Sequence, residues 1–276
     1  MKKIFTFTLA AAFLLTPLYA HAWGREGHRI TALVAQDHLT PAATAGVHAL
    51  LGDDSMADVA PWADEYRVDH RETAPWHITN VPGSADKYDR NRDCPISPSD
   101  PSGKVRDCNV DRIPYFEGIL RDPSATKDQK VFALKLLIHL MGDLHQPFHN
   151  MGDAKGGNQV LLNEFGQSTC GTKPCNLHSL WDDGLIEHRD LPEKKYVDTL
   201  EQEIAANNWQ KLAETGSIED WSNTGHHIAQ HAWVDTGSVG EDYYKKWIPY
   251  VDMQLSLGGL RLADALNSIF TAPPSS

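Results

Sequence analysis

Along most of the chain, apolar residues recur at intervals of three and four, the spacing of one face of an α-helix. Residues 31–39, 41–51, 131–144 and 251–266 all follow it. In the third segment Val131, Leu134, Leu137, Ile138 and Met141 form the inward stripe. Pro41 suits the opening turn of a helix, whereas Pro147 stops or kinks one. The best strand candidate is short, residues 159–165, bracketed by Gly156-Gly157 and Gly166. The pattern predicts a mainly α chain, a single-domain helical bundle with at most a small β-hairpin.

Two regions depart from this rhythm. The N-terminus carries Lys2-Lys3, an apolar run to Ala20 and the small-x-small pattern Ala20-His21-Ala22. That is the signature of a secretory signal peptide over residues 1–22, leaving a mature domain of 23–276. An exported protein, periplasmic or secreted, is expected. No other segment is long and uncharged enough to span a bilayer, so no membrane partner is expected. Residues 81–112 are rich in Pro, Ser, Asp and Gly and read as a surface loop. The tail, 271–276, is expected to fray.

Four cysteines in an oxidising compartment suggest two disulfides, for which three connectivities exist. Pairing Cys94 with Cys108 and Cys170 with Cys175 is favoured, because each pair brackets a short, turn-rich loop. The formal charge is −12, and removal of Lys2 and Lys3 makes it −14. A protein that grips nucleic acid through lysine and arginine carries a basic patch, and none stands out here. Any phosphate must therefore be met by something else, and bound metal is the obvious candidate.

The chain has 14 histidines. His139 and Asp143 stand four residues apart on a strongly helical segment, hence on one face. His149 follows just past Pro147, where the chain can turn back. His178 and Asp182 repeat the four-residue step on a second predicted helix. Two helices that each present an imidazole and a carboxylate build metal sites in bundle interiors. Nitrogen and oxygen donors without thiolate suit zinc with open positions. His227 and His231 share the spacing but lack a carboxylate. His145, two residues after Asp143, points away from the shared face. His38, His48, His70, His188 and His226 read as ordinary core or surface residues. Signal cleavage would expose Trp23, whose amine and carbonyl can chelate a metal at neutral pH, with His28 five residues on.

These residues lie within a longer set of motifs: Trp23-Gly-x-x-Gly-His28, Trp62-Ala-Asp64-x-x-Arg67, Pro75-Trp-His77, the stretch from His139 to His149, Gly156-Gly157-Asn158 and Asn176-Leu-His178-x-x-Trp181-Asp182. In order and spacing the chain resembles the zinc-dependent S1/P1 nuclease family. The resemblance implies a largely helical fold, shared with zinc phospholipase C, and three Zn²⁺ at the base of a cleft. Position by position, one zinc would take Asp64, His77, His139 and Asp143. A close neighbour would take Trp23, His28 and the other oxygen of Asp143. The third would take His149, His178 and Asp182. Catalytic roles would fall to Asp64, Arg67 and Asp143, with Arg67 meeting the extra negative charge of the transition state. Substrates would be single-stranded DNA and RNA, giving 5′-phosphorylated ends, together with 3′-nucleotides. A monomer is expected.

Two positions depart from the family pattern. Where relatives often carry a base-stacking aromatic after the histidine, and an aspartate two residues further on, this chain has Ile78 and Asn80. With Gly156, Gly157 and Asn158 they would line the base pocket. Trp62 and Trp76 are expected to pack behind the metal ligands. The nearest alternative is a zinc phospholipase C, whose pattern ends in His-x-x-x-Glu where this chain has Asp182. A non-catalytic zinc-binding protein is a further alternative, disfavoured by Arg67, because a cation beside metal is unfavourable unless an anion is to be bound.

Overall fold

A computed structural model of the chain describes residues 23–271. The expected signal peptide and nearly all of the expected frayed tail lie outside the described residues. Helix follows helix. Helices α1 (Arg25–Asp37), α2 (Pro41–Leu51), α3 (Met56–Val59) and α4 (Trp62–Asp69) lead into a 3-10 turn, Arg71–His77. Next come α5 (Arg90–Asp93), α6 (Asn109–Arg121) and α7 (Lys127–His145), then 3-10 turns at Pro147–Asn150 and Asp153–Lys155. The rest is α8 (Leu177–Ser179), a π-type turn Leu180–Gly184, α9 (Leu185–His188), α10 (Glu193–Asn207), α11 (Trp209–Ala213), α12 (Ile218–Ala232) and α13 (Glu241–Ile269). The architecture is mainly α. Among the described residues, no helix is long and apolar enough to cross a membrane.

Local chemistry sets the helix ends. The Thr40 side chain accepts from Ala43 N–H, and Pro41 fills the first position of α2, where no N–H is needed. Thr126 and Gln129 form a reciprocal capping box that opens α7. That helix stops at His145 because Gln146 is extended and Pro147 has no N–H to donate. Periodicity suggested one inward stripe on α7. Instead every residue from Leu136 to His145 is buried, because α6, α13, α1 and α12 all pack against it. It is the central helix, and it carries His139 and Asp143.

Strands are few. β1 (Leu162–Glu164) is shorter than the expected strand and pairs in parallel with a distant segment, Gly237–Val239. Residues 156 and 157, both at positive φ, hold the chain in a turn whose Val160 N–H closes on Gly157 O. Phe165 and Gly166, also at positive φ, end the strand. Among the described residues one hairpin joins β2 (Thr169–Cys170) to β3 (Lys173–Pro174), and the parallel partner of β1 is then β4 (Gly237–Val239). The expected loop 81–112 also needs correction, because it contains α5 and its last four residues open α6. Asn109 lies there because its N–H bonds Ile78 O and its side chain accepts from Thr79 Oγ1, anchoring the helix start to the segment after His77.

Cys94 is bonded to Cys108 and Cys170 to Cys175. Closing the first loop removes about 3 kcal/mol of unfolded-chain entropy on a simple loop argument. The apolar core falls into two clusters. One surrounds α7, with Leu134, Leu137, Ile138 and Leu140. The other holds Trp23, Phe148, Leu177, Trp181 and Trp247. His139 and Asp143 come from the first, whereas His149, His178 and Asp182 flank members of the second. The candidate site therefore lies along the seam.

α1 crosses α13 at Gly259, where a Cβ would stand 2.6 Å from Val34 Cβ and 2.9 Å from Thr31 O. Gly259→Ala should therefore cost about 1–3 kcal/mol. Thermal melting should show it as a fall in Tm of roughly 3–10 °C. Gly118→Ala, with nothing within 4 Å of its new Cβ in α6, should be neutral or stabilising. Equal melting of the two variants would contradict the close crossing.

Candidate metal centre

Asp143 is the hub. Its side chain is fully buried, with His77 Nδ1 2.9 Å from Oδ2, His139 Nε2 3.3 Å from Oδ2, and His28 Nε2 and His149 Nδ1 each 3.4 Å from Oδ1. Asp64, from α4, brings Oδ1 to 3.8 Å from His139 Nε2 and 4.0 Å from His77 Nδ1. A second group lies alongside: His178 Nε2 is 3.4 Å from Asp182 Oδ2, and His149 Nε2 is 4.0 Å from Asp182 Oδ1. Donor atoms fall into three compact sets: His28, Asp64 and His139; His77, His139 and Asp143; and His149, His178 and Asp182. The His178-x-x-x-Asp182 step does not lie on a regular helix, as expected from sequence. It spans α8 and the π-type turn, a local widening often found at functional sites.

Hydrogen bonds fix which ring nitrogen faces inward. His139 Nδ1 donates to Ala60 O at 2.7 Å, His149 Nδ1 to His77 O at 2.8 Å, and His178 Nδ1 to Gly156 O at 2.7 Å. Each neutral ring therefore turns an Nε2 lone pair toward the carboxylates. Ionised carboxylates are acceptors only, so these Nε2 lone pairs face further lone pairs, with one hydrogen bond between rings, His77 Nδ1 to His139 Nε2 at 3.1 Å. Both oxygens of Asp143, both ring nitrogens of His28, and Nε2 of His77 and His149 are buried without a hydrogen bond, as is Oδ2 of Asp182. Such clustering is costly unless a cation occupies the middle. Imidazoles held by backbone carbonyls are also how metal-ligating histidines are oriented. The donor set, nitrogen and oxygen without thiolate, fits zinc.

Electrostatics follow from burial. Loss of water pushes His28 and His149 down to about 4 and His178 down to about 3. Burial opposes charge on Asp143 too, but His139, His149 and His77 outweigh it and hold the carboxyl well below its ordinary range. Burial also lowers His139, yet Asp143 and Asp64 more than compensate and raise it. Asp182 is pushed up by burial and by Asp183.

Glycines let these groups approach. A Cβ at Gly142 would meet His28 Nδ1 at 2.8 Å and Trp23 Cδ1 at 3.7 Å, so this notch in α7 admits the N-terminal segment. Trp23 is buried, and Gly24 N–H bonds Asp182 O at 2.7 Å. Gly156 has φ +64°, and a Cβ there would lie 2.7 Å from Phe148 O and 3.2 Å from His178 Nδ1. The sequence assigned Gly156 and Gly157 to a base pocket; the structure shows their turn also delivers the carbonyl that orients His178. Asn158 bonds Lys155 O within that turn. Ile78 and Asn80 flank Thr79, whose N–H bonds His149 O; Ile78 is half-buried and Asn80 exposed. Arg67, partly exposed on α4, places Nη2 3.0 Å from Asp64 Oδ1.

The remaining histidines lie elsewhere. His145 is buried between Met141 O and the Arg261 guanidinium. His227 bonds Asp86 O, and His231 bonds His227 O, with no carboxylate at either. Trp76 packs on Phe116 with Arg112 over its ring, and Trp62 stacks on Tyr66. Sequence reasoning missed Gln146, whose Nε2 donates to Asp182 Oδ1. Its signal was a lone amide between two ligands.

Residues 23–271 match the family described as S1/P1 Nuclease. Similar proteins include Endonuclease 2 of Arabidopsis thaliana, 31% identical over 91% of this chain and 91% of that one. Nuclease P1 of Penicillium citrinum is 28% identical over 90% of this chain and 97% of its own length. Nuclease S1 of Aspergillus oryzae is 26% identical over 96% of this chain and 98% of its own.

A pH dependence follows from the ring environments. His149 and His178 have folded values below the ordinary 6.5. Their contribution to stability is present above pH 6.5 and is lost as pH falls below it, toward about 4 for His149 and about 3 for His178. In metal-free protein, ring resonances of both should stay in the neutral form from pH 8 to pH 5. A ring titrating near 6.5 would overturn the assigned donors.

Proposed function

The chain belongs to the S1/P1 nuclease family and is a phosphodiesterase, and from that premise and the buried donor cluster we propose that it is an exported, zinc-dependent endonuclease for single-stranded DNA and RNA that also dephosphorylates 3′-nucleotides. The observation that carries this reading is the set of buried ring nitrogens and carboxylate oxygens around Asp143 and Asp182 that make no hydrogen bond. Three Zn²⁺ are proposed: one with Asp64, His77, His139 and Asp143, one with Trp23, His28 and Asp143, and one with His149, His178 and Asp182. Bound there, zinc would supply a Lewis acid for phosphate oxygens and lower the pKa of an attacking water.

The protein's own groups do the rest. Arg67, held by Asp64, is aimed to bond the non-bridging oxygens as charge develops on them. Asp64 accepts the proton released when water oxygen bonds to phosphorus. The bond from phosphorus to the 3′ oxygen breaks, and that oxygen takes a proton from solvent, leaving a 3′ hydroxyl and a 5′ phosphate. Buried walls exclude competing water and strengthen each of these interactions. Three divalent ions would also bring the formal charge to about −8, concentrated where phosphate must sit, so no basic groove is needed. An unstacked strand can bring its phosphate to such a buried cluster, whereas a stacked, paired duplex cannot. Ile78, Asn80, Gly156, Gly157 and Asn158 are proposed to receive a base of that strand. Replacing the aromatic by Ile78 weakens stacking, and Asn80 offers a donor where an aspartate has none.

Purified enzyme should cut denatured DNA and RNA to 5′-phosphorylated fragments, release phosphate from 3′-nucleotides and leave phosphatidylcholine intact. Lipid cleavage with inert nucleic acid would sink the assignment. Asp143→Ala should release more than one zinc and lower kcat/KM by more than the ~100-fold that altering an outer partner costs. Wild-type zinc content in that variant would refute its role as hub. A chain carrying an extra methionine before Trp23 should lose one zinc and most activity. Full activity there would remove Trp23 from the ligand set.

A further inference from the structure

Gln146 lies between the two donor groups both in sequence and in space, and its side chain is fully buried. Its backbone N–H closes the end of α7, bonding Gly142 O at 3.1 Å and Asp143 O at 3.0 Å. Its backbone carbonyl accepts from His149 N–H at 3.0 Å and from Asn150 Nδ2 at 3.2 Å. The side chain reaches further. Nε2 donates to Asp182 Oδ1, and Oε1 accepts from Phe148 N–H at 2.5 Å, one residue before His149. One amide therefore holds the carboxylate of one ligand and the backbone leading to another.

The choice of side chain is narrow. The position requires a donor toward a carboxylate and an acceptor toward an N–H, at glutamine's length. Ionised glutamate keeps the acceptor and loses the donor. Methionine fills similar space and has neither function. With Oδ1 engaged by Gln146, Oδ2 is the Asp182 oxygen that makes no hydrogen bond and lies 3.4 Å from His178 Nε2.

We propose that Gln146 is a positioning residue for the His149, His178 and Asp182 metal site: its amide selects which Asp182 oxygen faces the metal and fixes the turn that presents His149. The inference rests on the metal reading above. It goes beyond it by giving one site a dedicated outer partner, supplied by the helix end that carries the other site's hub. Loss of that partner should weaken one zinc and leave the others, because the Gln146 side chain bonds Asp182 and Phe148 N–H and none of Asp143, His77 and His139.

The test compares wild type, Gln146→Glu and Gln146→Met, each processed to begin at Trp23. Zinc affinities are measured at pH 8 by competition with a chromophoric chelator, and circular dichroism of the metal-free forms reports folding. Both variants should hold one zinc ~10–100-fold more weakly than wild type, with the others unchanged. Nuclease activity should return on adding excess zinc, with KM for denatured DNA near that of wild type. A merely destabilised fold would instead weaken all the sites together, and that result would overturn the proposal. Wild-type affinities in Gln146→Glu would overturn it as well, since the donor to Asp182 is then dispensable. Should Gln146→Met fail to fold, the nearly isosteric Gln146→Glu carries the test alone. A wild-type chain that retains no zinc overturns the metal reading, and this inference falls with it.

Discussion

Everything in the site depends on one electrostatic constraint: a dry carboxylate, Asp143, enclosed by four imidazoles. Backbone carbonyls of Ala60, His77 and Gly156 take the Nδ1 protons of His139, His149 and His178. With those protons spent outward, Nε2 of these three rings is left as a lone pair on the inner face. An arrangement of this kind is unfavourable by itself and favourable around a cation. The fold therefore has to force the groups together before any ligand can reward them. It does so with α7, buried on all sides from Leu136 onward. Two disulfides and two apolar clusters support it.

Much of this was legible in the sequence, for a physical reason. Residues four apart on a helix share a face, so His139 with Asp143 announced themselves, and α7 was readable from its apolar spacing and from Pro147. His178 with Asp182 was readable by the same rule, although the backbone beneath them is a π-type turn instead of a regular helix. The rule worked because one turn of either kind brings such residues close together. Asp64 and His77 come from α4 and a 3-10 turn, where spacing carries no message. They were recoverable only through resemblance to a family.

What sequence could not supply acts through the main chain or across long distances. The carbonyls of Ala60 and Gly156 have no side-chain signature. Gly142 reads as a weak spot in a helix, yet it is the notch that admits His28 and Trp23. β1 pairs with β4 over three residues per strand, too few for any periodicity to show. The start of α6 was hidden because acids and turn formers precede it, while its anchor, Asn109, bonds to residues some thirty positions away.

The hydrogen bond from Gly24 to the carbonyl of Asp182 has a consequence for the order of assembly. The first described turn of the chain closes onto a residue made far later. A nascent chain can form α1, α2 and even α7, with its Gly142 notch, before residue 182 has left the ribosome, but Gly24 then still lacks the Asp182 carbonyl. Asp64, His77, His139 and Asp143 all precede residue 144 and can meet early, whereas His149 waits for His178 and Asp182. Only the set of His149, His178 and Asp182 is thereby deferred, and a chain ended before residue 182 is left without it.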